Sequence, residues 1–147
     1  MNIVNSMKLS FPSKSMNESF ARAAVAAFLL PLDPTVAEIA DIKTAVSEAV
    51  TNAIVHAYPD AYGTVYIEAQ LTDNGRAVIK IRDKGVGIPD IKQAMEPLYT
   101  TSTDERAGLG FAVMQSFCDR VKVRSTVGKG TTVTLEKTIL RASYGKR

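Results

Sequence analysis

The stretch EAVTNAIVH, residues 48–56, places Glu48, Asn52 and His56 four residues apart. Along an α-helix, residues four apart are rotated by only about 40° from one another, so the three polar side chains share one stripe. Apolar residues between 39 and 53 fall on a neighbouring arc, which predicts that this stripe borders the core. Such a trio can line a pocket. It can equally be the solvated flank of an amphipathic helix, and His56 alone would suit a helix-end cap.

Local signals on either side of this helix predict the remaining elements. Ser15 with Glu18 resembles a capping box that opens a first helix, and Asp33-Pro34 resembles the N-cap and first position of the second. The turn Asp73-Asn74-Gly75 favours a β-hairpin. The predicted strands cover residues 7–11, 64–72, 76–82, 120–126 and 131–139, and the predicted helices cover residues 15–30, 33–57, 90–95 and 108–119.

This order of elements predicts an α+β fold. Antiparallel hairpins interleaved with helices are typical of a two-layer sandwich, here a mixed, mostly antiparallel sheet covered by helices on one face. No repeat or long linker interrupts the chain, so we expect one domain over residues 1–147 with a short flexible tail from about residue 140.

Composition narrows the class of protein. The 147 residues are 46% hydrophobic and 22% charged, with a net charge of +3. The basic excess looks thinly spread except at the C-terminal end, which argues against direct nucleic-acid binding. The single cysteine, Cys118, excludes an internal disulfide and is expected to be a buried, inert thiol. The longest apolar run, residues 23–30, is too short to span a bilayer, and no signal segment is recognised, so we expect a cytoplasmic protein without membrane association.

Two glycine-rich segments follow the second helix. In the segment DKGVG, residues 83–87, glycines permit close approach to a ligand, and Asp83 can accept a hydrogen bond from an amine such as that of adenine. An ordinary strand-to-helix turn has the same composition.

The second segment, Gly108-Leu109-Gly110, opens a helix whose free N–H groups favour a phosphate, although a plain capped loop would look alike. A hydroxyl-rich stretch at residues 99–103 precedes it and can act as a lid. Arg106 can pair with a terminal phosphate or be a surface arginine. Neither a Walker motif nor a protein-kinase catalytic loop is present.

Taken in order, these motifs resemble the Bergerat-type ATP-binding fold of gyrase, heat-shock protein 90, histidine kinases and mismatch-repair ATPases. The segments SKSMNESFAR (13–22), EAVTNAIVH (48–56), PLYTT (97–101) and GLGF (108–111) further resemble the anti-sigma-F factors of endospore formers. The resemblance covers residues 7–139. One departure is Ser102-Thr103-Asp104, where a stretch containing Lys-Pro is expected, so the lid contacts follow least directly from it.

The resemblance implies a site for ATP or ADP with Mg²⁺. It implies that Asn52 holds the metal ion, that Asp83 reads the adenine amine with support from Thr132, and that Glu48 is the general base. Arg106 would lie near the γ-phosphate as a second catalytic group. The remaining implied nucleotide-binding residues are His56, Gly85, Gly87, Thr100, Thr101, Gly108 and Gly110.

The same resemblance implies the partners. The chain would form a homodimer, bind and inhibit the sporulation sigma factor F, and phosphorylate the anti-anti-sigma factor on a serine, thereby controlling sporulation-specific transcription. Arg22 would contact a partner protein, or else it is a solvated charge on the first helix. The sheet edge near residues 7–11 would suit a dimer surface. The alternatives are a related switch kinase for a general-stress sigma factor and a sequestering module without catalysis.

Overall fold

The computed structural model describes residues 2–95 and 106–140, with only the backbone for residues 106–109. The predicted lid residues, including Thr100 and Thr101, and most of the C-terminal tail lie outside these ranges. The elements in chain order are β1 (Ile3–Pro12), α1 (Asn17–Leu29), a 3₁₀ turn (Leu30–Leu32), α2 (Val36–Asn52), a π-helical turn (Ala53–Ala57), β2 (Thr64–Thr72), β3 (Arg76–Asp83), α3 (Ile91–Ala94), α4 (Arg106–Phe117), β4 (Arg120–Thr126) and β5 (Gly130–Thr138).

The five strands form one sheet in the order β1-β2-β3-β5-β4. Each neighbouring pair is antiparallel, so the sheet is wholly antiparallel over the described part of the chain. Because strand side chains alternate between faces, each strand turns every second residue toward the core. One inward-facing row crosses all five strands in register: Leu9, Ile67, Ile81, Val133 and Val123.

Three helices cover that face. Helix α2 lies in the middle and packs against both α1 and α4. Its core side carries Ile42, Val46 and Val50, each with 0% exposure, as the apolar arc predicts. Burying one such side chain contributes about 1.5–3 kcal/mol, so this packing fixes the position of α2 over the sheet. The predicted two-layer α+β class is confirmed.

Both predicted helix starts are wrong by one or two residues. Met16 precedes α1 without a side-chain cap, and the Glu18 carboxylate accepts a hydrogen bond from Ser47 Oγ (2.9 Å) on α2. Helix α2 begins after Thr35, where Thr35 and Glu38 form the capping box. That box satisfies two N-terminal donors at once, whereas Asp33 takes a left-handed conformation (φ 55°) at the end of the preceding turn.

The outer face of the sheet is strongly basic, which the sequence did not reveal. Strand alternation brings seven basic side chains and two acidic ones, Glu68 and Glu136, to this face, and Lys84 joins them by lying over the ring of Tyr66. The whole chain, by contrast, has 18 basic and 15 acidic residues. The expectation of thinly spread charge is therefore wrong, because residues distant in sequence share one face. The basic residues are Lys8, Arg76, Lys80, Arg82, Lys84, Arg120, Lys122 and Arg124.

Two smaller expectations concern the thiol and the membrane. Burial raises the pKa of the Cys118 thiol to about 11, so the thiol stays protonated and unreactive near neutral pH. Within residues 2–95 and 106–140, no helix has the length and apolar character needed to cross a bilayer.

Candidate functional site

A cavity of about 450 Å³ opens between the end of α2, the inner face of the sheet and the loop after β3. Its walls are mostly apolar, and a few polar groups converge on it, which is the usual composition of a small-molecule site. The polar lining residues are Asn52, His56, Asp83, Asp90, Gln93 and Thr131.

On the sheet side, the cavity is bordered by a row of side chains that are apolar on the first two strands and polar on the other three. In register, the row begins with Phe11 and Val65 and continues with Asp83, Thr131 and Ser125. The next inward-facing row along the strands is entirely apolar, so the polar residues stand at the end of the core. An antiparallel sheet thus presents a carboxylate and two hydroxyls where the helix layer leaves an opening.

Asp83 is held at the bottom of this opening. Its Oδ1 accepts hydrogen bonds from Gly85 N (3.0 Å) and Thr131 N (3.2 Å), and the residue is 7% exposed. Burial raises the pKa of the Asp83 carboxyl, and the two backbone hydrogen bonds only partly offset this. Among the described residues, Oδ2 receives no hydrogen bond, so it is available to an amine of a ligand.

Replacing Asp83 by asparagine tests this arrangement, because Asn keeps an oxygen for the two backbone donors. The raised pKa means that ionising Asp83 costs stability as pH rises above about 4, its unfolded value. We therefore expect Asp83→Asn to be at least as stable as the parent protein near pH 7, with a smaller gain near pH 4, in urea unfolding. ATP affinity by calorimetry should fall roughly 10–100-fold, the value of a hydrogen bond to a charged acceptor. Equal ATP affinity would contradict the adenine contact.

Thr132 does not support Asp83. Thr131 pairs with Asp83 across the strands and lines the cavity, whereas Thr132 points to the outer face opposite Arg82. The expectation for Thr132 is therefore wrong by one residue, because neighbouring strand residues face opposite sides of a sheet. Ser125 completes the group: its hydroxyl lies 2.8 Å from Thr131 Oγ1 and accepts a hydrogen bond from Ile88 N (2.7 Å).

Helix α2 supplies the opposite wall. Asn52 and His56 line the cavity, and His56 lies within the π-helical turn Ala53–Ala57 that follows Asn52, so it does not continue the ideal α-helical stripe. Single π-turns inside helices often mark functional sites. Glu48 does not line the cavity but stands next to Asn52, since a Cβ on Gly110 would lie 3.3 Å from Glu48 Oε2 and 3.2 Å from Asn52 Nδ2.

The Asn52 amide suits a site for phosphate with a magnesium ion. Its Nδ2 is buried with no hydrogen-bond partner among the described residues, so this donor is free for an acceptor such as a phosphate oxygen, whereas a metal ion would bind the amide oxygen Oδ1. No cluster of three or more His, Cys, Asp or Glu side chains occurs in the described ranges, which disfavours a zinc-type cage. Mg²⁺ typically takes one or two protein oxygens together with phosphates and water.

The loop after β3 forms the third wall and is fixed on two sides at Val86. Val86 N donates to Ala57 O (2.9 Å) at the end of the π-turn, and Gly128 N donates to Val86 O (2.8 Å) from the β4–β5 turn. Gly87 lines the cavity with a φ of 80°. Gly85 does not line it; instead its Cα lies so close to Ala57 that a Cβ would come 2.1 Å from Ala57 O.

The remaining predicted residues are placed as follows. Arg106 and Gly108 lie in the first turn of α4, where N–H groups lack helical acceptors, and Gly110 begins the second turn. The Arg106 side chain is outside the described part of the structure. Arg22 lies on α1 away from the cavity, where its Nε is 3.7 Å from Glu18 Oε2 and its side chain is 42% exposed.

Several lining residues were missed from the sequence. The apolar walls come from Ile81, Ile88, Pro89, Phe111 and Val133, and Asp90 and Gln93 add polar groups at the edge. Phe111 and Val133 carry only the signal of core residues, because the cavity is a continuation of the core. Thr131 could have been predicted from the sequence, because the apolar residues Val133 and Leu135 indicate which β5 residues face inward.

Comparisons with known proteins agree with this geometry. Residues 11–137 match the family model described as a histidine kinase-like ATPase domain. A protein from Caldanaerobacter subterraneus subsp. tengcongensis named anti-sigma F factor is 57% identical, with 93% of this chain and 96% of that protein covered. One of the same name from Priestia megaterium is 51% identical over 90% of this chain and 92% of its own.

Solved structures show the same fold at low identity. The crystal structure of the RsbU and RsbW domains of a Mycobacterium tuberculosis protein matches with a TM-score of 0.68 at 20% identity, over 92% of this chain and 33% of that one. The histidine kinase domain of a blue-light activated kinase from Erythrobacter litoralis matches with a TM-score of 0.56 at 19% identity, over 88% and 65%. Membership of an ATPase domain family implies nucleotide binding. The chain belongs to the histidine kinase-like ATPase domains and, within them, to the anti-sigma F factors.

Proposed function

We propose that this anti-sigma factor binds and inhibits the sporulation sigma factor F and uses ATP with Mg²⁺ to phosphorylate the anti-anti-sigma factor on a serine. The observation that carries the kinase activity is the placement of Glu48 beside Asn52, next to a cavity whose far end holds Asp83. This arrangement offers a base and a metal ligand side by side and an adenine acceptor in the adjoining cavity. The names of the relatives support the sigma-factor partner.

The chemical roles follow from the positions of the side chains. Asp83 would accept a hydrogen bond from the adenine amine inside the apolar slot, so the phosphates extend toward Asn52 and the first turns of α4. The serine hydroxyl of the substrate would attack the γ-phosphorus as its proton passes to a Glu48 carboxylate oxygen. The new Ser O–P bond forms while the bond to the β-phosphate oxygen breaks, which releases ADP. Mg²⁺ held by Asn52 would neutralise phosphate charge.

The other protein contacts are part of the same proposal. Arg22 is exposed on α1 and available to a carboxylate of a partner once it leaves Glu18. The edge strand β1 has one unpaired side, with Ile3 and Val4 more than half exposed, which suits the proposed homodimer. We propose a cytoplasmic location, and we propose that Arg106, Gly108 and the lid residues Thr100 and Thr101 contact the phosphates.

The direct test uses purified chain with the sigma factor and the anti-anti-sigma factor of the same organism. We expect sigma-factor capture with ATP present, and transfer of labelled γ-phosphate to one serine of the anti-anti-sigma factor. Capture of a general-stress sigma factor instead would favour the related switch kinase. Sigma-factor capture without any phosphoryl transfer would favour the sequestering module.

Gly110→Ala tests the phosphate end of the site separately. A Cβ there would lie 3.2–3.3 Å from Asn52 and Glu48, within the space that a metal–phosphate group needs. Alanine also raises helix propensity by about 1 kcal/mol, so the free protein should be no less stable. We expect Mg·ATP affinity to fall by roughly tenfold or more, or about 1.4 kcal/mol. Gln115→Ala, at an exposed position of the same helix, is the control; equal losses in both variants would count against the site.

A further inference from the structure

Tyr58, the first residue after the π-helical turn, joins three parts of the fold through one hydroxyl. Its Oη donates to Thr64 O (2.8 Å) at the start of β2 and accepts from Lys84 N (2.7 Å), directly after Asp83. Its ring packs on Gly63, where a Cβ would lie 2.2 Å from the ring carbon Cε1. The hydroxyl therefore uses both its donor and its acceptor capacity on backbone groups.

The bond to Lys84 belongs to a series of three consecutive backbone donors. Lys84 N donates to Tyr58 Oη, Gly85 N donates to Asp83 Oδ1, and Val86 N donates to Ala57 O. Two of these three acceptors, Ala57 O and Tyr58 Oη, belong to the last residue of the π-helical turn and the residue after it. The loop that shapes the adenine end of the cavity is thus anchored on the helix that carries Asn52.

This anchoring bears on the orientation of Asp83. Its carboxylate is aimed by Gly85 N and Thr131 N, and the position of Gly85 N depends on the two flanking bonds. Without the Tyr58 hydroxyl, Lys84 N loses its acceptor, and of the two bonds described above from the loop to residues 57–58 only Val86 N to Ala57 O is left. Thr131, on the neighbouring strand, would still hold Asp83 from the other side.

We propose that Tyr58 is a positioning residue for base recognition: through Lys84 N it sets the Asp83 carboxylate at the depth where it selects an adenine amine over a carbonyl. The inference rests on the proposed function, because it assumes that Asp83 reads the base. Inosine triphosphate is the discriminating probe, since it carries a carbonyl oxygen where adenine carries the amine. An ionised Asp83 accepts from the amine and repels the carbonyl.

The experiment compares ATP and inosine triphosphate affinities of the parent chain, Tyr58→Phe and Tyr62→Phe by calorimetry. The parent should prefer ATP by roughly 10–100-fold, as for a charge-assisted hydrogen bond. In Tyr58→Phe we expect ATP affinity to fall roughly 5–30-fold while inosine triphosphate affinity changes little, so that the preference collapses. Tyr62→Phe is the matched control, because Tyr62 is 73% exposed and its hydroxyl has no hydrogen bond within the described residues.

The preference ratio separates positioning from a general loss of stability, which would weaken both nucleotides alike. An unchanged ratio in Tyr58→Phe, beside a clear preference in the parent, would overturn the role of Tyr58 alone. No preference in the parent would overturn the Asp83 contact and this inference together. If Tyr58→Phe does not fold, hydrogen exchange of the parent decides: a protected Lys84 amide is expected, and exchange at the rate of an open loop would refute the anchor.

Discussion

Glu48→Gln is expected to abolish most phosphoryl transfer while leaving nucleotide binding nearly intact. Gln keeps the shape of the side chain beside Asn52 and Gly110 but cannot accept the serine proton. Loss of a general base typically costs about 10²–10⁴-fold in rate. The measurement is single-turnover transfer of γ-phosphate to the anti-anti-sigma factor, with ATP affinity determined in parallel. Because only the transition state needs the base, the rate should fall and ATP affinity should change by less than about threefold.

Glu68→Gln is the matched control for this substitution. Glu68 carries the same charge on the outer face of the sheet, where it pairs with Lys8 at 3.7 Å, and it does not contact the cavity. Its variant should transfer phosphate at the parental rate. If Glu48→Gln also does so, Glu48 is not the base. If both variants lose activity, the effect is one of net charge on partner binding.

Gly85→Ala should strongly destabilise the fold. A Cβ at this position would lie 2.1 Å from Ala57 O and 2.6 Å from Ala57 Cβ, so the loop and the end of α2 must separate. Separation breaks the Val86 N to Ala57 O hydrogen bond and opens the cavity wall. Overpacking and the lost bond together predict a decrease of about 2–4 kcal/mol in the free energy of unfolding, measured in urea.

Gly128→Ala distinguishes this clash from backbone strain. Gly128 has a φ of 82°, and a Cβ added to it would have no other atom within 4 Å, so its variant meets strain without collision. It should lose only about 1 kcal/mol. A Gly85→Ala protein as stable as Gly128→Ala would show that the loop is not packed against Ala57 as described. In that event the hydrogen bond from Val86 N to Ala57 O, one of the contacts on which the proposal for Tyr58 rests, would be in the wrong place.

The sequence predicts the architecture well because its main determinants are local. The strands at residues 64–72 and 120–126 are predicted to the residue, since alternation and turn residues define them within the segment itself. Helix starts are less predictable because a capping pattern in the sequence does not always form a cap. Ser15-x-x-Glu18 and Thr35-x-x-Glu38 have the same pattern, but only the second forms a capping box, while Glu18 accepts a hydrogen bond from Ser47 on another helix.

Some residues of the candidate site could be predicted from the sequence, and others could not. The positions of Asn52, His56, Asp83 and Gly87 around one cavity could be predicted, because spacing along one helix and one loop places them. The error at Thr132 arises from strand parity, which a motif read along the chain does not contain. The basic outer face could not be predicted either, because its charges come from strands that meet only in the folded sheet.

The π-helical turn also determines where the chain tolerates a change of length. One residue removed from Ala53–Ala57 would let α2 continue as a regular α-helix, but it would turn everything beyond by about 100° and carry Tyr58 away from Lys84. By contrast, Asp60, Ala61 and Tyr62 are exposed, and doubling a flexible loop costs only about 0.6 kcal/mol. A reporter peptide inserted at residues 60–62 would therefore leave the π-helical turn and the Tyr58 contacts with β2 and Lys84 unchanged.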